Sequence, residues 1–336
     1  MTASPNLIGI GAGLVAAVLF ASLANNSALA FMLFYLTPLP VLLAGMGWGV
    51  RAALLAFASA TSLLALVLSI KYALGFALMV GVPGFILSYL MLLRRHLPAG
   101  DPAGAAGGQG QIHTEWYPFG RVVAWASVMA GGLVTVALLL IGGDGESYRQ
   151  MIASVFDDAA MKQLQSMLGS EFDQAEFQLF VERFSRYILP AFAATFWLLI
   201  MVGNLWLAAK SAVISGLLDR PVPDFTKIDY PLFLSVGFVI ALALNFSSGL
   251  IGLIGTAFLG AFACAHLLLG LGVVHVLVGG LPLKLFFLFA LYAGLILTPW
   301  VGLPVTVLGL LEPFLGLRRR HSQQTKPPSD NSDSNL

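Results

Sequence analysis

"FYLTPLPVLLAGMGWGV", residues 34–50, is the stretch on which the fold turns. It is apolar enough to lie in hydrocarbon, yet it carries Pro38 and Pro40 and then three glycines. A proline inside a helix removes an N–H and clashes with the preceding turn, at about 3 kcal/mol. In a bilayer the carbonyls so freed must be met by a neighbouring side chain, by water or by a ligand. Two readings follow. The prolines kink a span and shape its packing, as prolines commonly do in membrane helices, or they break it at a midplane binding cavity of the kind transporters build.

The surrounding chain fixes the class. Of 336 residues, 58 % are apolar and 10 % charged, and the mean hydropathy is +0.89. A soluble domain carries roughly 25 % charged residues. Apolar runs of about 20 residues, the length that crosses a hydrocarbon core, recur along the chain. The alternating ten-residue segments of a membrane β-barrel do not occur. The expected fold is therefore all-α, a polytopic transmembrane bundle of about 8–10 spans with an extracytoplasmic amphipathic helical insertion. Spans are expected near 6–24, 28–47, 52–70, 72–93, 120–142, 187–209, 231–247 and 249–277, with a last stretch, 283–316, broken at Pro299 and Pro304.

Basic residues orient the spans. With the N-terminus inside, twelve of the seventeen lysines and arginines fall in cytoplasmic segments, among them Arg51, Arg94, Arg121, Arg220 and Arg318. Keeping "RRR" (318–320) inside makes 283–316 a hairpin rather than one kinked helix, with both termini cytoplasmic. The organisation expected is a first transmembrane half (1–97), a flexible cytoplasmic linker (98–119), a second half (120–317) and a disordered tail (318–336). Within the second half, 143–186 reads as two amphipathic helices rich in acidic residues. They form either a lid over the outer mouth or a pair resting on the headgroups. "MTASPN" has no positive n-region, so the first span is expected to be uncleaved.

The chain lacks GxxxxGK[ST], HExxH and GxSxG patterns, so it has no nucleotide-hydrolysing or hydrolase signature of its own. Cys264 is the lone cysteine. His266 and His275, nine residues apart, point to opposite faces of one helix and cannot share a metal. No convergent ionisable set emerges, so the expectation is a non-enzyme without metal or cofactor and without a nucleic-acid partner, whose first partner is the lipid bilayer. Candidate substrate-binding residues are Tyr35, Thr37, Pro38, Pro40, Pro83, Asn204 and His266, namely the helix breakers and the polar groups placed to answer them. Gly9, Gly13, Ala17 and Ala21 repeat every four positions as a smooth stripe, suited to docking a partner or to packing within the bundle. "LTPLPVLLAG" (36–45) is echoed by "LTPWVGLPVTVLG" (297–309), as a parallel repeat would be.

Three segments, "LTPLPVLLAGMGWGVRAAL", "VPGFILSYLMLLRRH" and the terminal "LGLLEPFLGLRRR", resemble the YybS-like family of bacterial multi-pass membrane proteins, a family of unknown function. Glu312 stands where that family tends to have an aspartate, which preserves the charge. The family is in turn distantly similar to the substrate-binding S components of energy-coupling-factor transporters. Those components dock an energising subunit through small residues on the first helix. The resemblance implies a substrate-capturing subunit in a bacterial inner membrane, energised by separate subunits. A membrane scaffold or envelope-assembly factor is the alternative.

Overall fold

The computed structural model describes residues 4–25, 27–97, 113–143, 145–156, 162, 163, 166 and 174–324. Seven helices among them are long and apolar enough to cross a membrane, and three shorter apolar helices accompany them. The chain is an integral, multi-pass, all-α membrane protein.

Helix α1 (Pro5–Ala21) begins on a proline, whose missing N–H is one of the orphans of any first turn. The second span is two helices, α2 (Ala28–Tyr35) and α3 (Pro38–Trp48). A single residue, Gly49 at φ +93°, then reverses the chain into α4 (Val50–Val67). That backbone conformation is open to glycine and strained for nearly every other residue. The fourth span runs as α5 (Ile70–Phe76), a π turn (Ala77–Gly81) and α6 (Val82–Leu92). Long helices α7 (Phe119–Ile141), α10 (Leu189–Ile214) and α12 (Gly249–Leu277), with the shorter α11 (Leu232–Asn245), make up most of the second half.

The small-residue stripe of α1 is occupied from within the chain. A Cβ on Gly9 would lie 2.7 Å from the Ala52 carbonyl oxygen, and one on Gly13 would overlap Ser59 and the Ala56 carbonyl. Ala17 is buried and Ala21 packs against the same core. The expected docking face is therefore the α1–α4 seam. Lipid gives helices no hydrophobic reason to associate, so such close backbone approach is what holds this pair. The two halves share a core as well, because Leu42, Met46, Leu87 and Met91 belong to one buried cluster with Val122, Leu198 and Leu205.

Three local expectations are corrected. Arg94–Leu97 (β1) pairs antiparallel with His113–Trp116 (β2), placing Arg94 opposite Trp116 and Arg95 opposite Glu115. Neither tetrapeptide has an apolar alternation to announce it. The pairing ties the linker's end to the bundle, while 98–112 lie outside the described residues. The sixth span starts far earlier than 187: α9 (Gln174–Arg183) continues through a π turn, Phe184–Ile188, into α10. The tail begins as helix α15 (Leu317–Gln324), with 325–336 outside the described residues. Buried Glu312 explains that helix, for its carboxylate accepts from the Leu317 and Arg318 N–H groups and pairs with the Arg318 guanidinium at 2.9 Å.

The last membrane segment is a hairpin of α13 (Lys284–Leu297) and α14 (Gly302–Leu315), joined through a short turn at Pro299–Val301. Gly270 of α12 meets Val305, and Gly309 meets the His266 carbonyl, so α14 lies backbone to backbone on α12. Arg318 then donates to the Thr226 carbonyl and to Asp229, near where α12 also finishes. Arg220 joins this end by donating to the carbonyls of Met91 and Tyr117. Gly47 packs on Leu217, which brings Arg51 to the same end. Arg51, Arg220 and Arg318, three of the basic residues expected to share one face of the membrane, thus lie at one end of the bundle.

At the other end, α8 (Gly145–Val155) and α9 fold onto α7 and α12 through Leu138, Tyr148, Ile152, Phe177, Val181 and Leu253. Phe156 meets Phe177, Phe180 and Phe184 at ring distances of 5.7–6.5 Å. Buried Tyr148 donates to the Ser185 carbonyl at 2.8 Å, and burial pushes its phenol up to about 12.

Candidate functional site: a cavity between two helix defects

The prolines of the opening stretch begin α3 rather than interrupting it. Pro38 would have donated to Phe34 and Pro40 to Leu36, the carbonyls four residues before them. The Thr37 N–H takes the Phe34 carbonyl at 3.1 Å and the Leu39 N–H takes that of Leu36 at 3.0 Å, both as tighter i→i+3 bonds. This shift deprives the Tyr35 carbonyl of Leu39, its ordinary donor. Asn204 of α10 supplies the replacement, its Nδ2 donating to the Tyr35 oxygen at 2.8 Å.

Pro83 repeats the logic one span later. In α-helical register Pro83 would have donated to Met79, whose carbonyl lies inside the π turn that precedes α6. The Trp197 indole of α10 donates to the Met79 oxygen at 2.9 Å. Trp197 and Asn204 are seven residues apart, two turns along one face of α10. One helix therefore satisfies two defects in two other spans.

Between the defects lies a cavity of about 300 Å³, lined by Phe31, Phe34, Tyr35 and Pro38 on one side, Met79 and Val80 on another, and Phe196, Trp197 and Ile200 of α10. Tyr35 and Phe196 meet edge to face at 5.3 Å. Phe31 and Phe196 are exposed at the surface that lipid would cover, so the cavity is walled on that side by rings with free space outside them. Its lining is largely apolar, with Tyr35 and Trp197 the residues in it that carry polar side-chain groups.

Of the candidates read from sequence, Tyr35 and Pro38 line this cavity. Pro83 and Asn204 act one step behind it, Pro83 by withholding an N–H from the Met79 carbonyl and Asn204 by holding that of Tyr35. Thr37 is fully buried at the kink, Pro40 is half-buried in the first turn of α3, and neither lines the space. His266 stands elsewhere. Its Nδ1 donates to the Phe262 carbonyl at 2.7 Å, its Nε2 faces the Ser235 hydroxyl at 3.3 Å, and Tyr230 and Phe238 pack against the ring. Both nitrogens are engaged, which makes it a satisfied core histidine. Among the described residues, the outer helices α8 and α9 contribute none to the lining of this cavity.

Sequence reasoning passed over Trp197, Phe196, Phe31 and Met79. One signal was present: tryptophan favours the ends of membrane helices, and Trp197 sits well inside a continuous helix from Ala175 to Ile214. The chain matches no family model, no curated protein and no solved structure.

Proposed function

We propose that this protein is a substrate-capturing membrane component of a small-molecule transport system, taking a lipophilic, ring-bearing molecule into the cavity between α2–α3, the π turn and α10. The observation that carries the reading is the convergence of two proline-induced defects on one helix face. A proline kink needed only for packing has no reason to meet a second one across a ring-lined space. A site that binds usually keeps a few polar groups in an apolar wall, and Tyr35 and Trp197 bring them to this one. The end that gathers Arg51, Arg94, Arg121, Arg220 and Arg318 is read as cytoplasmic by the positive-inside rule, which suits a bacterial inner membrane. Movement of the captured molecule then falls to separate energising subunits, as the resemblance to S components implies.

The full-length protein, purified in mild detergent, is expected to carry a small molecule visible by native mass spectrometry. Ala193→Trp, a substitution at an exposed position of the cavity wall, is expected to remove it without lowering the melting temperature. A wild-type preparation that carries nothing and binds nothing in a screen of lipophilic metabolites sinks the reading.

A second reading, a membrane scaffold, is favoured by α13 alone. No residue of this apolar helix is buried, and Phe286, Phe289 and Ile296 all face outward. Cross-linking from α13 that yields a discrete protein adduct, with an empty cavity, supports the scaffold instead.

A further inference from the structure

A second concave feature lies at the arginine-bearing end of the bundle and is independent of the cavity. Where α6 ends and α7 begins, the β1–β2 pair encloses a groove of about 410 Å³ lined by Arg94, Arg95, Arg121, Glu115, Trp116 and Tyr117. Glu115 is committed to Arg95 at 2.6 Å. Among the described residues, Arg94 and Arg121 have no carboxylate partner. Each instead lies over a ring, Arg94 over Trp116 at 5.6 Å and Arg121 over Tyr117 at 6.0 Å.

Behind the groove wall a third cation is buried. Arg220 is 5 % exposed, donates to the carbonyls of Met91 and Tyr117, and lies 5.9 Å from the Trp116 ring. It too has no carboxylate partner among the described residues. Burial pushes its guanidinium down to about 10, which leaves it cationic at neutral pH. Trp116 is therefore flanked by two guanidinium groups. The first turn of α7 adds the positive end of a 23-residue helix, with Pro118 and Arg121 of that turn in the lining.

Two exposed guanidinium groups on one concave wall, with a buried third behind it that has no carboxylate, favour an anion there; the low-dielectric cost falls on Arg220, the buried one. The groove lies where two candidate membrane spans, Ile70–Leu92 and Phe119–Ile141, have their ends, the level at which headgroup phosphates are met. Trp116 and Tyr117 are the ring types that settle at that level. Basic pockets between spans are suited to anionic headgroups. We propose that this groove binds the phosphodiester of an anionic phospholipid, with Arg94 and Arg121 as its direct ligands and Arg220 as the buried charge that fixes the wall.

The test is native mass spectrometry of the full-length protein released from micelles holding equal phosphatidylglycerol and phosphatidylcholine. Wild type is expected to retain phosphatidylglycerol in preference. Arg94→Gln with Arg121→Gln is expected to lower the retention ratio about 30-fold, and Arg121→Gln alone, an exposed first-turn position, about fivefold. Arg51→Gln, at the same end but outside the groove, should leave the ratio unchanged. A double variant that keeps the wild-type ratio overturns the proposal, as does a wild type with no preference. Displacement of the lipid by millimolar inorganic phosphate also overturns it, because the groove then serves a soluble phosphoryl compound.

Discussion

Two regions of this bundle bury polar groups, and they treat them in opposite ways. In the α11–α12–α14 core every such group named is answered: His266 at both nitrogens, Tyr230 on the Ala265 carbonyl, Thr256 on Asn245 and on the Gly252 carbonyl. Around α3 the books stay open. Thr37 Oγ1, Ser88 Oγ and Asn204 Oδ1 are buried without a hydrogen-bond partner among the described residues. Thr37 precedes α3, Ser88 faces Gly45 on it, and Asn204 holds the carbonyl just before it. A packing core closes its hydrogen bonds because an orphan costs about 1–3 kcal/mol. A region that leaves three open beside a cavity is arranged for something other than maximal stability.

The largest effect expected from breaking this contrast lies in the closed region. Gly309→Val would place methyl groups where the His266 carbonyl and the Gly270 N–H already sit, forcing α14 off α12. A loss of about 3 kcal/mol or more is expected, read as collapse of the thermal transition in detergent. Gly203→Val on α10, with open space around its Cα, is the matched control and should move stability by less than about 0.5 kcal/mol. Equal losses from both would show that the two regions are packed alike.

Next comes Asn204→Leu. It removes the donor on the Tyr35 carbonyl and should cost about 1–2 kcal/mol, measured as a shift in the unfolding midpoint. The origin of that cost can be isolated. With Pro40→Ala as background, residue 40 regains an N–H for Leu36, Leu39 is released to Tyr35, and Asn204 becomes dispensable. The double-mutant cycle should then show a coupling of at least about 0.5 kcal/mol. Additive effects would mean that Asn204 holds α10 for reasons unrelated to the kink.

How far the chain could be read in advance follows from the range of the forces involved. Spans, the terminal hairpin and the clustering of basic residues at one end depend on local hydropathy and on charge counted loop by loop, and all were legible. The prolines marked where backbone bonds would fail. What they could not show is the shift from Pro40 to the Tyr35 carbonyl, or that Trp197 and Asn204 would be the donors, because donor and acceptor are more than a hundred residues apart. The stripe on α1 was equally ambiguous, since a smooth face looks the same whether α4 or another protein lies on it. His266 read as a candidate because a lone intramembrane histidine is conspicuous, and only the placement of Ser235 and Phe262 around it reveals a closed pair of bonds. The β1–β2 pairing had no local signature at all.

Pro83→Ala sharpens the comparison by separating stability from binding. The new N–H at residue 83 can take the Met79 carbonyl, relieving the π turn and releasing Trp197 from that task. Stability should rise by about 1 kcal/mol while the cavity narrows, so the melting temperature goes up as bound small molecule goes down. A core proline with no role in a site would give the first change without the second.

The smallest and most diagnostic effect is a pair of single-atom edits expected to differ in sign. Thr37→Val keeps the shape of a fully buried side chain and deletes a hydroxyl that has no partner, so it should stabilise by up to about 1 kcal/mol. Ser235→Ala also deletes one buried hydroxyl, but this one faces His266 Nε2, which is then left alone in the core, and a loss of about 1 kcal/mol is expected. Both variants are read in the same thermal or denaturant titration. If Thr37→Val destabilises as Ser235→Ala does, the hydroxyl at the kink has a partner in the folded protein, and the region around α3 is as closed as the histidine core. If the signs oppose, the orphaned hydroxyl is a standing cost carried beside the cavity.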